Sequence, residues 1–254
     1  MSNTLELRGR TVIVTGASSG IGEATARALH AAGARPVLAA RRTERLETLS
    51  AQLGGALYVQ TDVTDAGRVA HLVAATLKRH RRIDALVKNA GASLHDTTIE
   101  QLDLGEFHQV LDLNLVSVIR LMQAVLPSMR RQGFGRIVNI SSGTTGMVLP
   151  GIGAYAATKS AVNMLSAVAR KELEGAGVSV SVVLPSTTAT EFGAGRFTSG
   201  RHPPRLYRAQ LRLRRRNHPA RTAHRRGTHR HPPWQRATRT RQPADPLTGR
   251  TATL

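Results

Sequence analysis

The chain has 254 residues and no cysteine, which removes disulfides and thiolate metal sites from consideration and fits a reducing compartment. Aromatic residues are scarce: one Trp, three Tyr and four Phe. Its core must therefore be aliphatic, and a base-stacking surface for single-stranded nucleic acid has few side chains to draw on. No apolar run approaches the eighteen residues of a membrane span. The N-terminal MSNTLELRGR lacks the apolar segment of a signal peptide, so a soluble, cytoplasmic protein that avoids membranes is expected. Lysine is rare as well, and acids almost vanish from the last quarter. Residues 1–195 hold 20 Lys+Arg against 15 Asp+Glu, whereas residues 196–254 hold 16 Arg, no Lys and the single Asp245. The net charge of +20 thus belongs mostly to the tail.

What is present up to about residue 190 is an alternation. Short β-branched runs occur at residues 11–15, 35–40, 56–60, 83–87, 136–140 and 178–184, with helical patterns near 20–32, 43–53, 65–80, 98–112, 114–132 and 155–174. Runs apolar on both faces suit strands covered by helices on both sides, so the expectation is an α/β, doubly wound parallel sheet. Gly33 should close the first helix, Gly54-Gly55 should break the chain before the third strand, and Thr64-Asp65 should cap the third helix. The expected organisation is a nucleotide-binding domain over 1–195 and an Arg-rich, disordered tail over 196–254.

The first run leads directly into TGASSGIG, Thr15 to Gly22, and then into a helix. Gly16, Gly20 and Gly22 allow a tight turn and close approach of a pyrophosphate to the helix N-terminus, although Gly/Ser turns also follow many strands. An acid about 20 residues further on would bind ribose hydroxyls; Arg41 and Arg42 stand there instead. Guanidinium groups suit a 2′-phosphate, which favours NADP(H) over NAD(H). Two solvated arginines at a helix start are the plainer alternative. Asp62, after the third strand, could face an adenine or simply form a turn.

Tyr155 and Lys159 in GAYAATKSA share one helix face. A phenol with a reference pKa near 10 is a poor acid–base catalyst at neutral pH, and a neighbouring ammonium should lower it. Ser142 lies thirteen residues earlier, past the strand RIVNI, where an open α/β sheet binds ligands; a turn role like that of Ser141 is the alternative. Asn114 is an amide inside the apolar run LDLNLVSVI, explained equally by a satisfied core amide or by catalysis.

TGASSGIG, KNAG (Lys88–Gly91), Asn114, Ser142, Tyr155, Lys159 and PSTTATEF (Pro185–Phe192) together resemble the short-chain dehydrogenase/reductase family over roughly residues 5–192. The resemblance implies a Rossmann fold and hydride transfer between a nicotinamide cofactor and a small-molecule alcohol or ketone. It implies Tyr155 as acid–base residue, Lys159 tuning it and binding ribose, Asn114 holding a relay water, and Ser142 polarising the substrate oxygen. Thr15, Gly16, Ser18, Gly20, Ile21, Gly22, Asp62, Asn89, Gly91, Pro185 and Thr190 would line the cofactor. It also implies a homo-oligomer through the helices near 114–132 and 155–174. Lys88 and Ser186 depart from the family's usual Asn and Gly. Beyond about 196 the family's lid and final buried strand have no counterpart; Arg, Pro and Ala without Lys read as GC-rich codons translated out of frame. Two rival functions follow: a cofactor-binding remnant impaired by its C-terminus, and a nucleic-acid binder using the tail. Non-specific, salt-sensitive contact with nucleic acid is all the tail is expected to provide.

Overall fold

A computed structural model describes residues 6–94 and 97–185. Six parallel strands form one sheet: β1 (Thr11–Thr15), β2 (Arg35–Ala40), β3 (Tyr58–Gln60), β4 (Ala85–Lys88), β5 (Gly135–Ile140) and β6 (Val178–Val183), ordered β3-β2-β1-β4-β5-β6. Register is set by pairs such as Ile13↔Val37, Ile13↔Leu86 and Leu86↔Ile137. The helices are α1 (Gly20–Ala31), α2 (Thr43–Gln52), α3 (Ala66–His80), α4 (Leu104–Leu111), α5 (Ser117–Gln132) and α6 (Gly153–Glu172). The expected doubly wound α/β architecture is observed.

Strand alternation sends side chains to two separate cores. On one face Ile13, Val37, Leu86, Ile137 and Val180 meet Leu72 of α3, Leu121 and Val125 of α5, and Val162 of α6. On the other, Val12, Val14, Leu38 and Val87 meet Ala26 of α1 and Leu46 and Leu49 of α2. All five residues of β1 are buried, as a central strand between two helical layers requires.

Local signals act where expected. Gly33 donates its N–H to the His30 carbonyl (2.9 Å) at φ +81°, ending α1. Asp65 accepts from the Arg68 N–H at 2.9 Å and caps α3. The pattern near 98–112 divides, however. A 3₁₀ turn at Ile99–Gln101 precedes Asp103, whose carboxylate accepts from the Glu106 N–H (2.7 Å) and starts α4 afresh. The expected gap around residue 113 is not a break: α4 continues into α5 through a π-helical turn, Asp112–Val116. The helical run Leu104–Gln132 is long and apolar enough by those measures alone to cross a membrane, although no single sequence run suggested it. In the fold Val118, Leu121, Met122, Val125 and Met129 of α5 are buried in the sheet-side core.

The sheet's C-terminal edge carries the ends of β1, β4, β5 and β6. Strand order reverses between β1 and β4, where an open α/β sheet forms its ligand crevice. Thr190, the region expected to lack the family's final strand, and the tail over 196–254 lie outside the described residues.

Candidate active site

The turn after β1 is built by close packing. A Cβ on Gly22 would lie 2.2 Å from the Gly16 carbonyl oxygen and 2.6 Å from Asn89 Nδ2, so only glycine lets α1 reach the strand end. Gly16 has φ +65°, and its own Cβ would meet Asn89 Nδ2 at 2.7 Å. Asn89 holds the loop by donating Nδ2 to the Thr15 carbonyl (3.1 Å) and the Gly16 carbonyl (3.3 Å). Thr15 Oγ1 returns the link, accepting from the N–H groups of Asn89 (3.1 Å) and Ala90 (3.2 Å). Ser19 begins α1 without a side-chain cap, leaving the first-turn N–H groups to an anion.

Arg42 reaches back over this loop. Its Nε and Nη2 donate to Ser18 Oγ at 3.1 and 3.0 Å, and Nη2 donates to Ser19 Oγ at 2.7 Å. The exposed guanidinium is thereby fixed beside the helix N-terminus; Ser19 as its second anchor was not singled out from sequence. Arg41 is exposed, and its carbonyl accepts from Gln60 Nε2 (3.2 Å). Asp62 Oδ1 accepts from the N–H and hydroxyl of Thr64 (2.9 and 2.7 Å), the turn-forming alternative. Those two bonds hold its carboxyl below the usual carboxylate value. Ile21 and Gly22 follow in α1, Gly22 buried.

At the ends of β4, β5 and β6 the remaining residues come together. Tyr155 and Lys159 occupy one face of α6 and are 6% and 3% exposed, with Lys159 Nζ 5.8 Å from the phenol ring centroid. Ser142 hydrogen-bonds the phenol and also accepts from the Thr144 N–H (3.2 Å) and hydroxyl (2.9 Å). Lys159 Nζ donates to the Ile140 carbonyl at 3.0 Å. A Cβ on Gly91 would lie 3.0 Å from Asn114 Oδ1, tight enough that the amide would have to shift by a few tenths of an ångström, and in ordinary contact with Lys159 Nζ at 3.5 Å. Pro185 closes the β6 side, its carbonyl accepting from the Gly143 N–H (2.9 Å).

Asn114 is fully buried in the π turn. Its Oδ1 accepts from the Ala92 N–H (3.0 Å), and Nδ2 donates to the Ala92 carbonyl (2.9 Å) and Thr158 Oγ1 (3.1 Å). The side chain is therefore a satisfied amide, and Thr158 is a partner the sequence did not disclose. Burial pushes the Tyr155 phenol above its ordinary value, with the Ser142 bond pulling back; the lowering expected from the Lys159 spacing does not emerge. Burial also lowers Lys159 to about 8.

The family model described as short chain dehydrogenase matches residues 10–199. The chain belongs to the short-chain dehydrogenase family. An uncharacterized oxidoreductase of Listeria innocua is 38% identical over 193 residues, covering 74% of this chain and 77% of the relative. A 3-oxoacyl-(acyl-carrier-protein) reductase of Synechocystis is 38% identical over 190 residues, covering 73% and 76%. A Brucella melitensis 3-ketoacyl-(acyl-carrier-protein) reductase solved with NADH superposes at TM-score 0.71 with 28% identity, covering 72% of this chain and 78% of that one. A Caenorhabditis elegans short-chain dehydrogenase/reductase solved with cofactor gives TM-score 0.70 with 32% identity, covering 74% and 73%. This short-chain dehydrogenase is accordingly a nicotinamide-dependent oxidoreductase, and the close-packed glycine turn with its uncapped α1 fits such a cofactor.

Proposed function

We propose that the chain is an NADP(H)-dependent oxidoreductase acting on an alcohol/carbonyl pair, with Tyr155 as acid–base residue. The observation that carries this reading is the convergence of Ser142, Tyr155, Lys159 and the Asn114 turn at the sheet edge beside the turn after β1. The cofactor supplies the hydride when bound, a chemistry no side chain offers. Ser142 accepts or donates at the substrate oxygen, and Tyr155 Oη delivers the proton in reduction. Lys159 lies beside the phenol on the same helix face, placed to exchange protons with it. Arg42, locked on Ser18 and Ser19, supports a preference for a 2′-phosphate, with the exposed Arg41 available as a second cation.

Titrating NADPH and NADH against wild type and the Arg41→Ala/Arg42→Ala double variant tests the cofactor assignment. NADPH should bind about ten- to hundredfold more tightly than NADH, and the variant should lose that margin. Equal wild-type affinities would overturn it. NADPH consumption across a panel of aldehydes and ketones tests the reaction. A second reading, a cofactor-binding protein with impaired turnover, is favoured by the family match ending at residue 199; binding without turnover is its signature. For assembly we favour a homo-oligomer through α5 and α6, supported by exposed Met164 and Val168 on α6 and Val116 and Ile119 beside and on α5. For location we favour the cytoplasm, whose reducing conditions suit a chain with no cysteine.

A further inference from the structure

Lys88 ends β4 on the same sheet face as Leu86 and is 1% exposed. Its Nζ donates to three main-chain carbonyls: Ala90 (2.5 Å), Leu113 (3.0 Å) and Asn114 (3.3 Å). Two of these acceptors belong to the π turn, whose wider winding changes the carbonyl partners of an α-helix. An ammonium has three protons and no lone pair, so the seat matches its charged form one for one. A neutral amine would set its lone pair against a carbonyl oxygen. One nitrogen thus joins the end of β4 to the turn that carries Asn114.

No carboxylate accompanies it among the described residues, so the cation is held by dipoles alone, an expensive way to tie two backbone segments together. Two buried amines in one site also oppose each other's charge. Burial and the Lys159 ammonium push Lys88 well down from its ordinary value, and burial pushes Lys159 down to about 8. Three carbonyls resist discharge at Lys88, whereas Lys159 Nζ has the single Ile140 carbonyl. The groups around Lys159 do not restore the balance. Tyr155 faces it from α6, the Asn114 amide from the π turn is neutral, and Asp112 of that turn lies 3.7 Å from Arg120.

We propose that Lys88 is a positioning residue for the Tyr155–Lys159 pair: seated on three carbonyls, it fixes the turn that carries Asn114 and holds a positive charge that disfavours a second one on Lys159. This rests on the acid–base reading of that pair. A charge there favours a neutral Lys159, easing proton loss from the amine.

The chain has four lysines, Lys78, Lys88, Lys159 and Lys171, so protein labelled with carbon-13 at lysine Cε gives four signals assignable by substitution. Exposed Lys78 and Lys171 serve as internal references. The wild-type titration should show Lys159 discharging at lower pH than Lys88; the reverse order overturns the proposal. Lys88→Gln keeps two N–H donors and loses the charge, so it separates the tie from the electrostatics. In Lys88→Gln the Lys159 midpoint should rise by about half a pH unit or more. A folded Lys88→Gln protein whose Lys159 midpoint moves by less than about 0.2 units, or falls, overturns it. If Lys88→Gln does not fold, the wild-type order alone decides. Neither titration needs turnover: a wild type that binds NADPH but reduces no carbonyl fails the functional reading and leaves the lysine measurement standing. In an active enzyme, the pH profile of kcat shifts toward alkaline pH with the Lys159 midpoint.

Discussion

Gly22→Ala probes the cofactor turn most sharply, because the added methyl has nowhere to go. Its Cβ would stand 2.2 Å from the Gly16 carbonyl oxygen, 2.7 Å from that carbonyl carbon and 2.6 Å from Asn89 Nδ2. Ordinary contact begins near 3.4 Å, so the Gly16 backbone must retreat by on the order of 1 Å. Overpacking of this kind costs about 1–3 kcal/mol. The same retreat strips Asn89 of its bonds to the Thr15 and Gly16 carbonyls, about 1 kcal/mol each. A total of about 3–5 kcal/mol corresponds to a fall in Tm of about 6–20 °C for a domain of this size. The first-turn N–H groups of α1 shift with the loop, so NADPH affinity should drop about tenfold or more. Thermal melts with and without NADPH, alongside direct cofactor titration, supply both readouts. Gly146→Ala is the control, since a Cβ there meets nothing within 4 Å. If Gly22→Ala melted within about 1 °C of wild type and bound NADPH equally, the close approach would not exist as described.

Tyr155→Phe should abolish carbonyl reduction while NADPH binds nearly as before, whereas Lys159→Ala should damage both; retention of more than about a tenth of the wild-type rate in Tyr155→Phe would place the proton donor elsewhere. Asp84, its side chain 2% exposed, accepts from the Thr11 N–H (2.9 Å), Arg10 (3.1 Å) and Arg82 (2.8 Å). Both arginines are partly solvated, so Asp84→Asn should cost about 2–3 kcal/mol, less than the ~3–5 for a wholly buried pair. Burial alone would raise the Asp84 carboxyl, but Arg82, the Thr11 N–H and Arg10 outweigh it and hold it below the ordinary 3.8. Its stabilisation is therefore present above that value and lost as pH falls below it, so wild-type Tm should decline more steeply than Asp84→Asn as pH falls below the ordinary 3.8; parallel curves would refute this. With 16 Arg and one acid in residues 196–254, retention of the protein on random duplex DNA should fall about a thousandfold or more between 50 and 200 mM salt; sequence-dependent retention surviving 200 mM would show specific recognition.

The strands, the glycine turn and the Tyr155–Lys159 helix were legible because each is specified within a dozen residues: β-branched runs, a Gly-rich joint, a four-residue spacing. Where the reading missed, the deciding contact came from elsewhere in the chain or from a shift in helical winding. Asp103 was readable in principle, since Asp-Leu-Gly-Glu is a capping signal inside the 98–112 pattern. The π turn was not, because its apolar periodicity matches that of an ordinary helix while Leu113 and Asn114 turn their carbonyls to Lys88 from 25 and 26 residues away. Arg42 on Ser18 and Ser19 likewise joins segments that the sequence separates by 24 and 23 residues.

Tyr155 gives the most instructive difference. Spacing correctly put the lysine on the phenol's side of the helix, but spacing carries no information about dielectric. At 5.8 Å from the ring centroid and with Nζ turned to the Ile140 carbonyl, Lys159 does less for the phenol than burial does against it. Burial discourages the charged form of both groups at once, raising the phenol and lowering the amine. From ordinary values of 10.0 for the phenol and 10.5 for the amine, this inverts their order, so Lys159 gives up its proton before Tyr155 does. A neutral Lys159 leaves the phenol protonated, ready to give its proton to a substrate oxygen in reduction, and a third buried charge helps to keep the amine neutral. Lys88 is the group placed to do so.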